Sequence, residues 1–175
     1  MRYFISAMFL LASAAHAVEA NTSSINVDSG SPGTCKVAIS NVGESMPDGA
    51  YQGECVGGKP HGAGLMVFIN GDRFKGTFKD GRIDGKGTWI SGSSGNSYIG
   101  HWRNGKREGT GTYNWAGSSQ QYVGEWADDK RNGKGTLKWG NGDRFEGEFR
   151  DNRQYTGTYF TGTGATHTCY MGTCR

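Results

Sequence analysis

Between residues 49 and 160, aromatic and polar positions alternate with period two, and the alternation itself recurs along the chain. In the segment Tyr122 to Trp139, Tyr122, Gly124 and Trp126 share one strand face, while Val123 and Glu125 share the other. Asp128 to Asn132 reads as a polar turn region. Gly135 to Trp139 reads as a second strand, with Leu137 and Trp139 on one face and Thr136 and Lys138 on the other. Aromatics recur at Tyr51, Phe74, Tyr98, Tyr122 and Phe145, in steps of 23, 24, 24 and 23. Two residues after each stands a glycine, and four after each stands Cys55, Phe78, Trp102, Trp126 or Phe149. Eleven residues after the first four aromatics, Gly62, Gly85, Gly109 and Gly133 each open a G-x-G. The pattern predicts five stacked β-hairpins. Asn-Gly-Asp at 70–72 and 141–143 marks two of the links between them, and the links at 91–97 and 116–121 are longer and polar.

A glycine between two rings on one face removes the side chain that would stand between them. The expectation is that rings from adjacent hairpins pack across it, since a glycine inside a strand otherwise weakens the strand. One hairpin cannot bury such a row, whereas stacked hairpins bury it cumulatively. The fold class expected is therefore all-β: an elongated, twisted antiparallel sheet of stacked hairpins with short terminal caps. Ten strands at about 4.8 Å each extend on the order of 45 Å.

Composition agrees with this reading. Of 175 residues 31 are Gly, more than twice the usual share of about 7%, and only 3 are Pro, which excludes collagen. Frequent aromatics and a formal charge of +3 argue against wholesale disorder, and so weak a charge gives no reason to expect a nucleic-acid partner. That many glycines also argue against a helical bundle.

The flanks differ from the array. Arg2, the apolar run Tyr3 to Ala15 and Ala15-His16-Ala17 form a signal-peptide pattern over 1–17, with a second cleavage point after Ala20. The run is too short to span a bilayer, so no transmembrane segment is expected in the mature chain. The expectation is an exported protein, periplasmic or secreted. Residues 21–48 read as a flexible leader plus a capping strand at Thr34 to Ile39, residues 49–160 as the array, and residues 161–175 as a C-terminal cap. Asn21-Thr22-Ser23 is a glycosylation sequon at the new terminus. Export favours two disulfides among Cys35, Cys55, Cys169 and Cys174, for which three pairings exist. The expected pairing is Cys35–Cys55 with Cys169–Cys174; either rival pairing would tie together the two ends of a long sheet.

The Y-x-G-x-[WF]…G-x-G pattern over about 49–160 resembles the MORN (membrane occupation and recognition nexus) repeat. Four units match strongly. Unit one departs at Cys55, which stands in an aromatic place, and unit five at Tyr155, which stands where Gly is expected before Thr156-Gly157. The resemblance implies an elongated sheet of hairpins that scaffolds, self-associates or binds a partner without chemistry of its own.

Candidate chemistry is sparse. His61, His101 and His167 occupy turn, surface and tail positions and pair with no nucleophile. Glu125, Glu146 and Glu148 could approach one another as a carboxylate pair, an arrangement that any polar sheet face also produces. Neither catalysis nor a cofactor or metal is expected. Tyr98, Trp102, Tyr113, Trp115, Tyr122, Trp126 and Trp139 are candidates for an aromatic interface that binds a protein or a second copy. Lys59, Arg82, Lys106, Arg107, Lys130, Arg131 and Arg153 fall at matching hairpin ends, as a ladder for an anionic partner or a solvated edge. The leading function is a non-enzymatic exported scaffold or protein-interaction module. The alternative is a module for a glycan or an anionic lipid headgroup, using the aromatic face and the basic ends.

Overall fold

The computed structural model describes residues 33–39 and 49–175. The expected signal peptide at 1–17 and most of the leader at 21–48 lie outside the described residues. Thirteen strands and no helix occur among the described residues. They are β1 (Gly33–Ile39), β2 (Gly49–Val56), β3 (Lys59–Phe68), β4 (Arg73–Lys79), β5 (Arg82–Ile90), β6 (Ser97–Arg103) and β7 (Lys106–Trp115), then β8 (Gln120–Ala127), β9 (Lys130–Lys138), β10 (Arg144–Arg150), β11 (Arg153–Phe160), β12 (Thr166–Tyr170) and β13 (Thr173–Cys174). Each strand pairs antiparallel with the next, so the sheet order is the chain order. Twelve steps of about 4.8 Å make the sheet about 58 Å across.

Two-residue turns close every hairpin. Gly57-Gly58, Asp80-Gly81, Asn104-Gly105, Asp128-Asp129 and Asp151-Asn152 all have positive φ at both positions, as does Met171-Gly172 in the cap. That is the I′ geometry whose twist suits paired strands, and Gly, Asn and Asp tolerate it best. The polar region at 128–132 therefore shortens to a turn at 128–129, and Lys130 already belongs to β9.

The glycines form one row across the sheet. Gly53 faces Gly64, Gly76 faces Gly87, Gly100 faces Gly111, Gly124 faces Gly135 and Gly147 faces Gly157. A Cβ added at Gly111 would stand 2.3 Å from Tyr98 Oη and 2.4 Å from its Cζ. At Gly64 the same atom would meet the Tyr51 ring, and at Gly135 the Tyr122 ring. The ring that uses the space over each pair thus comes from the same hairpin, two residues before the pair's first glycine, which corrects the expectation of rings arriving from adjacent hairpins. Tyr51, Tyr98 and Tyr122 extend across the glycine pair and donate their hydroxyls to the carbonyls of Glu54, His101 and Glu125, at 2.7, 3.1 and 3.0 Å.

These five rings are the core, with Tyr98, Tyr122, Phe74 and Phe145 fully buried and Tyr51 at 2% exposure. The rings at Phe78, Trp102, Trp126 and Phe149 wedge between them edge-on. Trp102 meets Phe74 at 5.4 Å and Tyr98 at 5.1 Å, and Trp126 meets Tyr98 at 5.2 Å and Tyr122 at 5.3 Å. Each such pair adds about 0.5–1.5 kcal/mol beyond its buried area. This ladder adds side-chain packing to the strand pairing that joins one hairpin to the next.

Unit five is one residue shorter than the others. Tyr98 to Gly111 spans 13 positions, whereas Phe145 to Gly157 spans 12. In units one to four the first glycine of G-x-G sits in a bulge at positive φ, for example +67° at Gly109 and +97° at Gly133. In unit five that position is deleted. Thr156 pairs with Glu148, and the bulge contracts to Tyr155 between Gln154 and Thr156. Tyr155 therefore does not replace the glycine, as the sequence suggested.

Candidate binding groove

Both margins of the sheet are stitched from hairpin to hairpin. On the turn side, the amides of Gly81, Gly105, Asp129 and Asn152 donate to the carbonyls of Pro60, Ile83, Arg107 and Arg131 in the preceding unit, at 2.8–3.2 Å. On the link side, Asp72 Oδ1 accepts from the Gly92 amide (2.9 Å), Asn96 Oδ1 from Ala116 (3.0 Å) and Asp143 Oδ1 from Gly162 (2.7 Å). These link residues had a sequence signal only in the Asn-Gly-Asp turns.

Between the margins, on the face that carries the core rings, lies a stripe of partly buried aromatics: Trp89, Tyr113, Trp115, Trp139 and Tyr159. Each of Trp89, Tyr113 and Tyr159 stands directly opposite a core ring, namely Phe74, Tyr98 and Phe145. A groove of about 480 Å³ opens where units two and three meet. Ile83, Trp89, Trp102, Gly105, Tyr113 and Arg107 line it together with Asp72 and Asp129.

The structure divides the seven interface candidates. Tyr98, Trp102, Tyr122 and Trp126 are buried in the ladder, with exposures of 0, 9, 0 and 5%. They offer a partner little surface, so their place is the core. Tyr113, Trp115 and Trp139 remain half-exposed on the stripe, and Trp89 and Tyr159 join them.

The basic candidates divide as well. Lys106 and Lys130 pair with Asp128 and Asp151 of the next hairpin, each at 2.8 Å. That contact raises Lys106 above its ordinary range and holds Asp128 and Asp151 below theirs. Arg107 lies over Trp126 (4.4 Å), Tyr113 (5.5 Å) and Tyr98 (5.7 Å). Its Nε donates to Asp129 Oδ1 at 3.0 Å and its Nη2 to the Asp129 carbonyl at 2.8 Å. Arg131 repeats this over Phe149, Tyr122 and Trp115 and donates to the Asn152 carbonyl at 2.7 Å. Burial lowers the Arg131 pKa. Four of the seven cations thus have partners in the next hairpin, Arg107 and Arg131 partly buried over rings and Lys106 and Lys130 in exposed ion pairs, while Lys59, Arg82 and Arg153 are exposed. Burial pushes the Tyr98 and Tyr122 hydroxyls up to about 12.

No candidate carboxylate stands directly opposite another across a strand pair, and Glu146 and Glu148 lie two positions apart on one face of β10. Register sets Glu125 against Thr110, Glu146 against Thr136 and Thr158, and Glu148 against Lys134 and Thr156. His101 Nδ1 lies 3.2 Å from the Thr110 carbonyl, His61 lies 3.7 Å from Asp80, and His167 is exposed. Among the described residues no group of three or more His, Cys, Asp or Glu could hold a metal ion. No helix among them is long and apolar enough to cross a membrane.

The cysteines end the glycine row. Cys35 stands opposite Gly53 on β1, and Cys169 stands opposite Gly157 on β12. Cys169 is 1% exposed and bonded to Cys174 across the cap turn. Cys55 is disulfide-bonded too. The side chain of Cys35, its expected partner, lies outside the described residues.

The chain has counterparts at the level of the repeat. No curated protein matches its sequence. Among solved structures, the TCP domain of SAS-4 (dCPAP) in complex with a proline-rich motif of Ana2 (dSTIL), from Drosophila melanogaster, is similar at 11% identity and a TM-score of 0.39, over 87% of this chain and 92% of that one. The model of the MORN repeat matches at 51–73, 74–95, 98–120 and 122–144, four consecutive units that coincide with the first four hairpins. Those four matches span just over half of the 175 residues, and the chain belongs to the MORN repeat family.

Proposed function

We propose that this protein is a non-enzymatic, exported scaffold that binds another protein through the aromatic stripe and groove of its ring-bearing face. MORN repeats are interaction modules for proteins and membranes. The observation that carries the choice of a protein is the stripe itself. Trp89, Tyr113, Trp115, Trp139 and Tyr159 stay partly exposed beside a core that is already closed. Half-exposed Trp and Tyr on a rigid sheet are the residues that dominate protein interfaces. The anionic-lipid reading loses support, because Lys106, Arg107, Lys130 and Arg131 are engaged between hairpins. Export rests on the N-terminal signal pattern and the disulfide chemistry, and the reading requires no cofactor.

The test is capture from native envelope extract by the mature chain and by a Trp89→Ala/Tyr113→Ala chain of equal stability. A stoichiometric protein held by the first and lost by the second supports the proposal. Recovery of glycan or lipid alone favours the alternative module. N-terminal sequencing of the native protein that returns Met1 refutes export.

A further inference from the structure

The groove between units two and three stands where two neighbouring units each seat an arginine. Nine residues after each core ring come Pro60, Ile83, Arg107 and Arg131 in units one to four. In units three and four the guanidinium lies over its own core ring and over the wedge ring of the next unit, Trp126 or Phe149. It is held by the turn residue of the next hairpin: Asp129 receives Arg107, and the Asn152 carbonyl receives Arg131. In unit two the matching residues are Ile83, a shorter side chain that is itself 7% exposed, and Gly105, so the cation and the carboxylate that faces it in unit three are both lacking. The rings are still in place: Phe74, Trp102 and Trp89 correspond to Tyr98, Trp126 and Tyr113. Unit one also lacks the arginine, but Met66 there is fully buried and Pro60 and Gly81 are buried with it. The partly buried Trp89 of unit two instead fronts an open space.

We infer that this space is a receptor slot for the arginine side chain of a partner polypeptide, and the inference rests on the protein-binding reading above. A guanidinium seated there would lie on the partly exposed ring of Trp89, beside the buried Ile83 and the 9%-exposed margin of Trp102, with the Gly105 turn at its end. Charge favours it, because the lining carries Asp72 and Asp129 against the single cation Arg107. Asp72 uses Oδ1 on the Gly92 amide, and Asp129 uses Oδ1 on Arg107. Neither Oδ2 has a hydrogen-bond partner among those of the described residues. Arginine fits better than lysine, since only a planar guanidinium stacks on an indole while donating in its plane.

The probe is N-acetyl-arginine amide titrated into the full mature chain, with the lysine analogue as comparison, read by indole fluorescence and by the indole N–H resonances of Trp89 and Trp102. Saturable binding of the arginine compound is expected, about tenfold tighter than the lysine compound. The variant Ile83→Arg/Gly105→Asp rebuilds the unit-three arrangement, and Asp at 105 takes the positive φ that Asp129 already adopts (+65°). It should unfold no earlier than the parent and should no longer bind the probe. Trp89→Leu removes a ring without filling the space and should weaken binding by a similar factor. Equal binding of the two compounds, or undiminished binding by a folded Ile83→Arg/Gly105→Asp chain, overturns the slot. If that filled chain still captures the partner held by the parent, the slot is refuted while the protein-binding reading stands.

Discussion

Gly111→Ala should damage the array far more than one methyl group suggests. The new Cβ would lie 2.3–2.5 Å from the Oη, Cζ and Cε2 atoms of Tyr98, about 1 Å inside ordinary contact. The ring cannot swing clear, because Tyr98 is fully buried between Trp102 at 5.1 Å and Trp126 at 5.2 Å. Lifting it by about 1 Å breaks the hydroxyl bond to the His101 carbonyl, worth about 1 kcal/mol. Overpacking of this kind costs about 1–3 kcal/mol in addition. The expected loss is therefore about 2–4 kcal/mol, read as a lower urea midpoint. Gly117→Ala is the control, since nothing lies within 4 Å of a Cβ there, and it should stay within about 0.5 kcal/mol of the parent. The sharper measurement is a double-mutant cycle with Tyr98→Ala. Removal of the ring removes the clash, so Gly111→Ala should cost at least about 1 kcal/mol less in that background. Strictly additive losses would refute the account of why this row is glycine.

Alkaline titration should destabilise the fold between pH 10 and about 12. Tyr98 and Tyr122 ionise near 10 when unfolded and near 12 when buried, so the folded state binds more protons across that window and stability falls as pH rises through it. Ultraviolet tyrosinate titration should show Tyr98 and Tyr122 among the late hydroxyls, with Tyr51 and Tyr159 also raised, and all should normalise on unfolding. Cys169→Ser/Cys174→Ser opens a six-residue loop worth about 2 kcal/mol. Hydrogen exchange should then accelerate in β12 and β13 while the middle hairpins stay protected, and global unfolding would contradict the modular ladder.

The hairpins, their order and the core rings were legible because the fold fixes those positions in every unit. Period two and the in-register glycines name Tyr51, Phe74, Tyr98, Tyr122 and Phe145 directly. Which aromatics stay exposed was not legible. Tyr98 and Tyr113 stand opposite each other on one face and flank the same glycine pair, Gly100 and Gly111. That pair seats one ring, Tyr98 takes it, and Tyr113 is left half-exposed. Strand parity does not distinguish the two. The two cations at the third hairpin's end have different places for a different reason. β7 begins at Lys106, so Lys106 and Arg107 point to opposite faces. Arg107 lies four residues before Gly111 and six before Tyr113, so parity already placed it on the ring-bearing face. The closing cysteines needed register, since only pairing shows that Cys35 and Cys169 continue the glycine row.

Two positions vary together along the array, and the pairing has a physical cause. An arginine laid over rings and half removed from water must place its N–H groups on acceptors. The acceptor comes from the next turn, at a site of positive φ where Gly, Asn and Asp are the tolerated residues. Arg107 accordingly meets Asp129, and Arg131 meets Asn152. Only Asp129 gives its arginine a side-chain acceptor, since Asn152 receives Arg131 on its backbone carbonyl; where the facing residue is apolar, as at Pro60 and Ile83, the turn carries Gly81 and Gly105. The unit-to-unit stitch survives both solutions, because the amides of 81, 105, 129 and 152 make the same bond to the preceding unit regardless of side chain. The fold therefore leaves this pair of positions independent of the ladder that holds it together. A change at one interface of the array can open or fill the space over its rings without disturbing the hairpins on either side, and unit two is the place where that space is open.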